Sequence, residues 1–323
     1  MKNLSQQFIK LQDALKKSKR LLLVAHLNPD IDALSSVFAM DYYLRNELKK
    51  ETSLLSVDPI DGLALKLFPE KQLVDKYDLS KFDVIMILDR EDTFFKLKMD
   101  KEISEKNLDV QIINIDHHPK PEIEGALNLV NVDASATSEI IYEYFKKIKY
   151  DLPQKVAQYL LNGIFTDTGG FRHNNTTAKT LEIVSDLMKK GGSVRKINQL
   201  VFANKSLNTL KLWSIALGRA ELYKDTGMVV SFLTKNDLEK CKASKADASG
   251  IAEVLNTISG SKFSLILYES KPGIVKASLR SDEHKGVDVS EIAKKFKGGG
   301  HKLASGFEIE GHLKEVNGEW VIE

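Results

Sequence analysis

At 323 residues, 42% hydrophobic and 28% charged, the chain has room for two globular domains with separate cores. It contains no apolar stretch near the roughly 18 residues that cross a bilayer, and one cysteine, Cys241, excludes an internal disulfide. A formal net charge of +2 argues against a protein built to coat duplex DNA and leaves small or short anionic substrates open.

The first segment, MKNLSQQFIKLQDALKKSKR, reads as an amphipathic helix without the apolar core of a signal peptide, so a cytoplasmic protein is expected. A strand follows at Leu21–Ala25 and a helix from about Ala33 to Lys49. Further strands are predicted at Ser53–Val57, Val84–Asp89, Val110–Asp116 and Leu127–Val132. Continuous Val/Ile/Leu runs alternating with helices imply a parallel sheet covered on both faces. Helices are expected at Thr137–Lys149, Pro153–Phe165 and Thr177–Lys190, with two more helical patterns between Ser193 and Leu217. Past Gly218 the texture changes to a hairpin over Ala220–Thr234 and a helix at Ala248–Ile258. Strands at Phe263–Tyr268 and Ile274–Leu279, a helix at Val289–Phe296 and a terminal hairpin complete the pattern. The expected fold is α/β: an N-terminal parallel-sheet domain (1–192), a helical connector (193–219) and a smaller C-terminal α/β domain (220–323), with a cleft between the domains.

Three of the apolar runs end in metal-ligand chemistry. RLLLVA leads to His26, Asp30 and Asp32, DVIMIL leads to Asp89, and the run from Val110 to Ile115 ends in Asp116-His117-His118. Ligands of open α/β sheets bind beyond the carboxyl ends of the strands, so these residues should share one edge. A single aspartate at a helix start is commonly a cap. Several carboxylates crowded at one edge repel, and a pair of divalent cations would resolve that repulsion. Mixed imidazole and carboxylate ligands suit Mn²⁺ or Zn²⁺ better than Ca²⁺. Two further motifs are ambiguous alone: Thr166-Asp167-Thr168-Gly169-Gly170-Phe171-Arg172, which also reads as a helix stop, and Lys297-Gly298-Gly299-Gly300-His301, which also reads as a turn. Arg280-Ser281, at a predicted strand end, is equally open.

Taken in order, HLNPDID, Asp89, DHH at 116–118, TDTGGFR at 166–172 and VDVSEIAKKFKGGGHKLASGF at 287–307 resemble the DHH phosphoesterase superfamily with its DHH-associated C-terminal domain. The two-domain layout and the GGGH motif are most similar to the NrnA-type nanoRNases that also dephosphorylate pAp. The resemblance implies two divalent metal ions, Mn²⁺ by preference. His26 and Asp30 would hold one, Asp32, His117 and Asp167 the other, with Asp89 bridging. It implies that Asp116 orients a ligand, that His118 and Arg172 face the phosphate, and that Arg280, Ser281, Gly298, Gly299, Gly300 and His301 hold substrate. The implied reaction is hydrolysis by a hydroxide bridging the two metals, acting on short single-stranded RNA or DNA oligonucleotides, pAp or small nucleotides. A homodimer is expected by analogy, and no membrane association. A stand-alone cyclic-di-AMP or pApA phosphodiesterase and a non-catalytic nucleotide sensor are the alternatives. Ile31 and Ser35 stand where the family commonly has glycine, and a β-branched residue avoids positive φ. The ligand loop must therefore keep an ordinary backbone at Ile31.

Overall fold

The computed structural model describes residues 4–60, 62–69, 73–89, 92–119, 122–203, 205–316 and 319–323, with the side chains of residues 202, 203, 270, 271, 301, 315 and 319 outside that description. Two compact units divide the chain at residues 204 and 205.

The first unit runs α1 (Ser5–Lys17), β1 (Arg20–Ala25), α2 (Ile31–Asn46), β2 (Glu51–Leu55), α3 (Gly62–Leu67), β3 (Val84–Leu88), α4 (Asp92–Lys96), α5 (Met99–Glu105), β4 (Gln111–Asp116), β5 (Leu127–Val130), α6 (Thr137–Lys147), α7 (Gln154–Asp167), α8 (Ala178–Lys189) and α9 (Val194–Asn198). All five strands are parallel, in the order β2-β1-β3-β4-β5. The period-two alternation of a strand divides β1 between two cores. Leu21, Leu23 and Ala25 join the core under α1, α2, α6 and α7, whereas Leu22 and Val24 join Ile85, Ile87 and Phe94 on the opposite face. This two-sided burial is why the strands read as unbroken apolar runs. The strand order reverses between β1 and β3, and such switch points are where open α/β sheets leave a crevice for ligands. The short helices α3, α4 and α5 carry too few turns for a clear amphipathic signature in the sequence.

The second unit begins with α10 (Leu207–Gly218), then β6 (Glu221–Tyr223), β7 (Met228–Leu233), α11 (Lys235–Cys241), α12 (Ile251–Leu255), β8 (Phe263–Lys271), β9 (Ile274–Ser281), α13 (Val289–Lys295), β10 (Gly299–His301), β11 (Ala304–Glu310), β12 (Leu313–Val316) and β13 (Glu319–Ile322). The predicted 193–219 connector is thus made of α9 in the first unit and α10 in the second. Helix α10 belongs there because Leu212 and Ala216 pack with Val229, Ile251 and Leu255. The helix expected over 248–258 is shortened at its start by Gly250, which adopts φ +92° ahead of α12. The sheet order is β10-β11-β9-β8-β7-β6, with only the β7–β8 pair parallel. Helices α10 and α12 cover one face over β7 and β8, and α13 covers the other over β9 and β11. Two C-terminal hairpins form rather than one, β10–β11 and β12–β13. No helix among the described residues is long and apolar enough to cross a membrane.

Candidate metal centre

His26, Asp89 and the Asp116–His118 segment leave the carboxyl ends of β1, β3 and β4 at the same edge of the first sheet. Between β1 and α2, Asn28 takes φ 51°, stabilised by its N–H donating to the Asp58 carboxylate at 2.8 Å. Ile31 is the first residue of α2 and packs in the core at 8% exposure. The loop therefore keeps its left-handed turn at Asn28, which tolerates it, and an ordinary helical backbone at Ile31. Ser35 lies one turn further into α2, its hydroxyl buried and without a hydrogen-bond partner among the described residues.

The donor atoms fall into three overlapping groups: His26, Asp30 and Asp89; Asp32, His117 and Asp167; and Asp89, His117 and His118. Asp89 belongs to two of them. Its Oδ2 lies 3.9 Å from His26 Nε2, and its Oδ1 lies 3.5 Å from His117 Nε2 and 3.7 Å from His118 Nδ1. Asp30 Oδ2 is 3.6 Å from His26 Nε2, and Asp167 Oδ2 is 3.5 Å from His117 Nε2. Asp116 stands behind this set, 1% exposed, with Oδ1 accepting from the His118 N–H at 2.9 Å and lying 2.8 Å from His118 Nδ1. Arg172 is exposed and donates from Nε to Gly169 O at 2.7 Å.

The carboxylates respond to this crowding. Burial, then the charges of Asp32, Asp30, Asp167 and Asp116, hold Asp89 well above the usual carboxylate range. Burial raises Asp32 as well, against the pull of His117. Burial pushes Asp167 up to about 7. Burial acts upward on Asp30 too, but its hydrogen bond and charge interaction with His26, with the Ala33 N–H, bring it down to about 2. His117 rises despite burial because Asp167, Asp32 and Asp116 face it. An anionic cluster of imidazoles and carboxylates in this state is complementary to divalent cations, and its mixed N/O donor set fits first-row metals such as Mn²⁺ or Zn²⁺.

Several residues that build the centre carry no motif. The first two N–H groups of α6 donate to Asp32: Thr137 N at 2.7 Å and Ser138 N at 3.1 Å. Thr137 Oγ1 donates to Asp89 Oδ1 at 2.8 Å. The helix N-terminus, with its partial positive charge, thus receives a carboxylate from α2. Gly163 of α7 permits that arrangement, since a Cβ there would overlap Ser138 Oγ and Asp32 Oδ1. Asn175 joins the remaining parts, donating from Nδ2 to Ser135 O at 2.9 Å and to Asp167 O at 3.3 Å.

The residues expected to hold substrate lie in the second unit, on β9 and around β10. Arg280, Gly299 and Gly300 line an open cavity of about 380 Å³. Arg280 Nε donates to Glu253 at 2.8 Å. Ser281 faces the other way, 5% exposed and donating to Lys262 O at 2.9 Å, because neighbours on a strand point to opposite faces. A Cβ on Gly298 would overlap Gly306 O and Phe307, and Gly300 takes φ +136°, whereas Gly299 has nothing within 4 Å of its Cβ position. The backbone of His301 completes β10; its side chain lies outside the described residues.

Residues 20–164 match the model of the DHH family, N-terminal domain, and residues 214–318 match that of the DHHA1 domain. The chain is 29% identical to the bifunctional oligoribonuclease and PAP phosphatase NrnA of Bacillus subtilis, over 90% of this chain and 89% of that protein. It is 27% identical to an uncharacterized protein of Mycoplasma genitalium, over 96% of this chain and 93% of the relative. The crystal structure of an exopolyphosphatase-related protein from Bacteroides fragilis superposes with a TM-score of 0.82 at 27% identity, covering 95% of this chain and 92% of that one.

Two outcomes follow for the cluster. Gly163→Ala should displace the Asp32 carboxylate and weaken Mn²⁺ binding about tenfold or more in a calorimetric titration, as loss of ligand support commonly does; wild-type affinity in that variant would contradict the packing argument. In the metal-free protein, Asp167 ionises more readily unfolded than folded. Its contribution is therefore most favourable below the ordinary value of 3.8 and is lost as the pH rises toward about 7. The urea midpoint should fall across that window, with Mn²⁺ removing most of the fall; a flat or rising midpoint without metal would refute it.

Proposed function

The chain belongs to the DHH family, and from that premise we propose that it hydrolyses short oligoribonucleotides to mononucleotides and removes the 3′-phosphate of pAp, using two divalent cations, Mn²⁺ by preference. The family assignment makes the chain a metal-dependent phosphoesterase. The substrates are those in the name of the Bacillus subtilis relative and of similarly named relatives in Streptococcus mutans and Thermus thermophilus. The observation that carries the two-metal reading is Asp89, whose two carboxylate oxygens face different histidines, His26 on one side and His117 on the other.

In this reading His26 and Asp30 would hold one cation and Asp32, His117 and Asp167 the second, with Asp89 able to contribute to each. Bound there, the cations would supply Lewis-acid charge and an activated water. The protein supplies the rest. Asp116 fixes the ring of His118, so that its Nε2 is the free end for a non-bridging phosphate oxygen. The Thr137 hydroxyl donates to Asp89 Oδ1 and restrains that carboxylate. Arg172, in the turn that follows α7, adds positive charge for the same phosphate. In the DHHA1 unit, Arg280 and the open backbone at Gly299 bind the remainder of the substrate, with Gly298 and Gly300 shaping that strand; Ser281 supports the strand from behind. A nearly neutral protein suffices because a short oligomer offers few phosphates.

The test is turnover with Mn²⁺ on a dinucleotide, a pentamer, a long oligomer, pAp, pApA, cyclic-di-AMP and pyrophosphate, for the wild type and Asp89→Ala. The wild type should release mononucleotides from the short oligomers and phosphate from pAp. Asp89→Ala should fall to the uncatalysed rate with its metal-free stability undiminished, because one of the mutually repelling buried carboxylates is gone. Preference for pApA or cyclic-di-AMP, tight binding of all substrates without turnover, or near-normal activity of Asp89→Ala would each overturn the proposal.

A further inference from the structure

The open face of the second sheet has a layout that register defines. Residues paired across neighbouring strands share a face, and so do every second residue along one strand. On that face Ser278 pairs with Gly306, and Gly306 with Gly299, giving a row across β9, β11 and β10 with one hydroxyl and no larger side chain. The row is a trough. On one side it is flanked by Arg280 paired with Ala304, and on the other by Lys276 paired with Glu308. The same residues line the cavity of about 380 Å³.

The two flanks differ in what they offer. Arg280 is paired with Glu253 through Nε and donates from one terminal nitrogen to Leu279 O, and its other guanidinium N–H groups are donors suited to a phosphate. At the other end an acid and a base face each other across one strand pair, both exposed, and among the described residues neither is engaged in a hydrogen bond or ion pair. Directly opposed residues have Cβ atoms roughly 5 Å apart, so both head groups reach one planar edge. That end carries no net charge and is unsuited to a phosphate. It offers a strong acceptor beside a strong donor, the complement of an exocyclic amine next to a ring nitrogen.

We propose that the trough is a nucleoside subsite in which Lys276 and Glu308 select the base. The phosphate lies toward Arg280, the flat nucleoside rests over Gly306 and Gly299, and Glu308 accepts from the exocyclic amine while Lys276 donates to the adjacent ring nitrogen. Bases that carry an amine are favoured over those with a carbonyl in its place. The inference rests on the oligonucleotide reading of the substrate.

The experiment compares kcat and KM for ApA and its inosine counterpart IpI, in which the amine is replaced by a carbonyl, with Mn²⁺ present. Wild type should prefer ApA by about tenfold in kcat/KM, the worth of one hydrogen bond to a charged group. Glu308→Ala should erase the preference through the KM of ApA with kcat unchanged, Lys276→Met should reduce it, and Glu308→Gln should retain part of it. All three side-chain changes are on the exposed face and leave the core intact. Equal ApA-to-IpI ratios in wild type and Glu308→Ala, or a loss confined to kcat, would overturn the base-selecting pair. Turnover of both dinucleotides by the wild type would uphold the phosphoesterase reading whichever way the ratio falls, whereas turnover of neither would remove both.

Discussion

Repulsion among buried carboxylates at one edge of a parallel sheet is the constraint around which the first unit is arranged. Asp32 and Asp89 are each 1% exposed, and Asp30 and Asp167 adjoin the same histidines. Leaving such groups charged without a counter-charge costs several kcal/mol each. The fold meets part of that cost with its own dipoles. The N-terminus of α6 is directed at Asp32, and a hydroxyl from the same turn holds Asp89. The remaining negative charge is what makes the edge a candidate cation site.

The architecture explains why the centre is assembled from so many elements. Parallel strands deliver their loops to a common edge, and the order β2-β1-β3-β4-β5 opens that edge beside β1 and β3, the strands that carry His26 and Asp89. Asp167 comes from the end of a helix instead, so its placement depends on how α7 packs against α2 and α6. The glycine at 163 sets that approach, and the Asn175 amide ties the helix end to the segment that leads into α6. A candidate ligand set spread over strand ends and helix ends is held by packing as much as by any loop.

Much of this was legible in the sequence because apolar runs that end in histidine and aspartate have no use as core. The parallel sheet followed from unbroken runs such as DVIMIL, which only burial on both faces explains. Other features left no local trace. Thr137 and Ser138 look like ordinary helix-start residues, and nothing in their neighbourhood indicates that their N–H groups serve an aspartate more than 100 residues away. Gly163 sits inside a helix, where glycine is merely unfavourable until the facing carboxylate is seen. Asp58 lies in a loop whose partner, Asn28, is brought near only by the pairing of β1 with β2. Ile31 shows the opposite case: a residue out of pattern for the family loop is accommodated because the left-handed turn falls on Asn28. Strand parity separates Arg280 from Ser281, a distinction that required the exact strand limits.

In the proposed reading one aspartate, Asp89, serves two cations. Crystals of the wild-type protein grown with Mn²⁺ and measured at the manganese absorption edge address it directly. Two anomalous peaks per chain are expected, one beside His26 and Asp30 and one beside Asp32, His117 and Asp167, each within ligand distance of a different oxygen of Asp89. A single peak at full occupancy, or two peaks of which one lies away from Asp89, would contradict it.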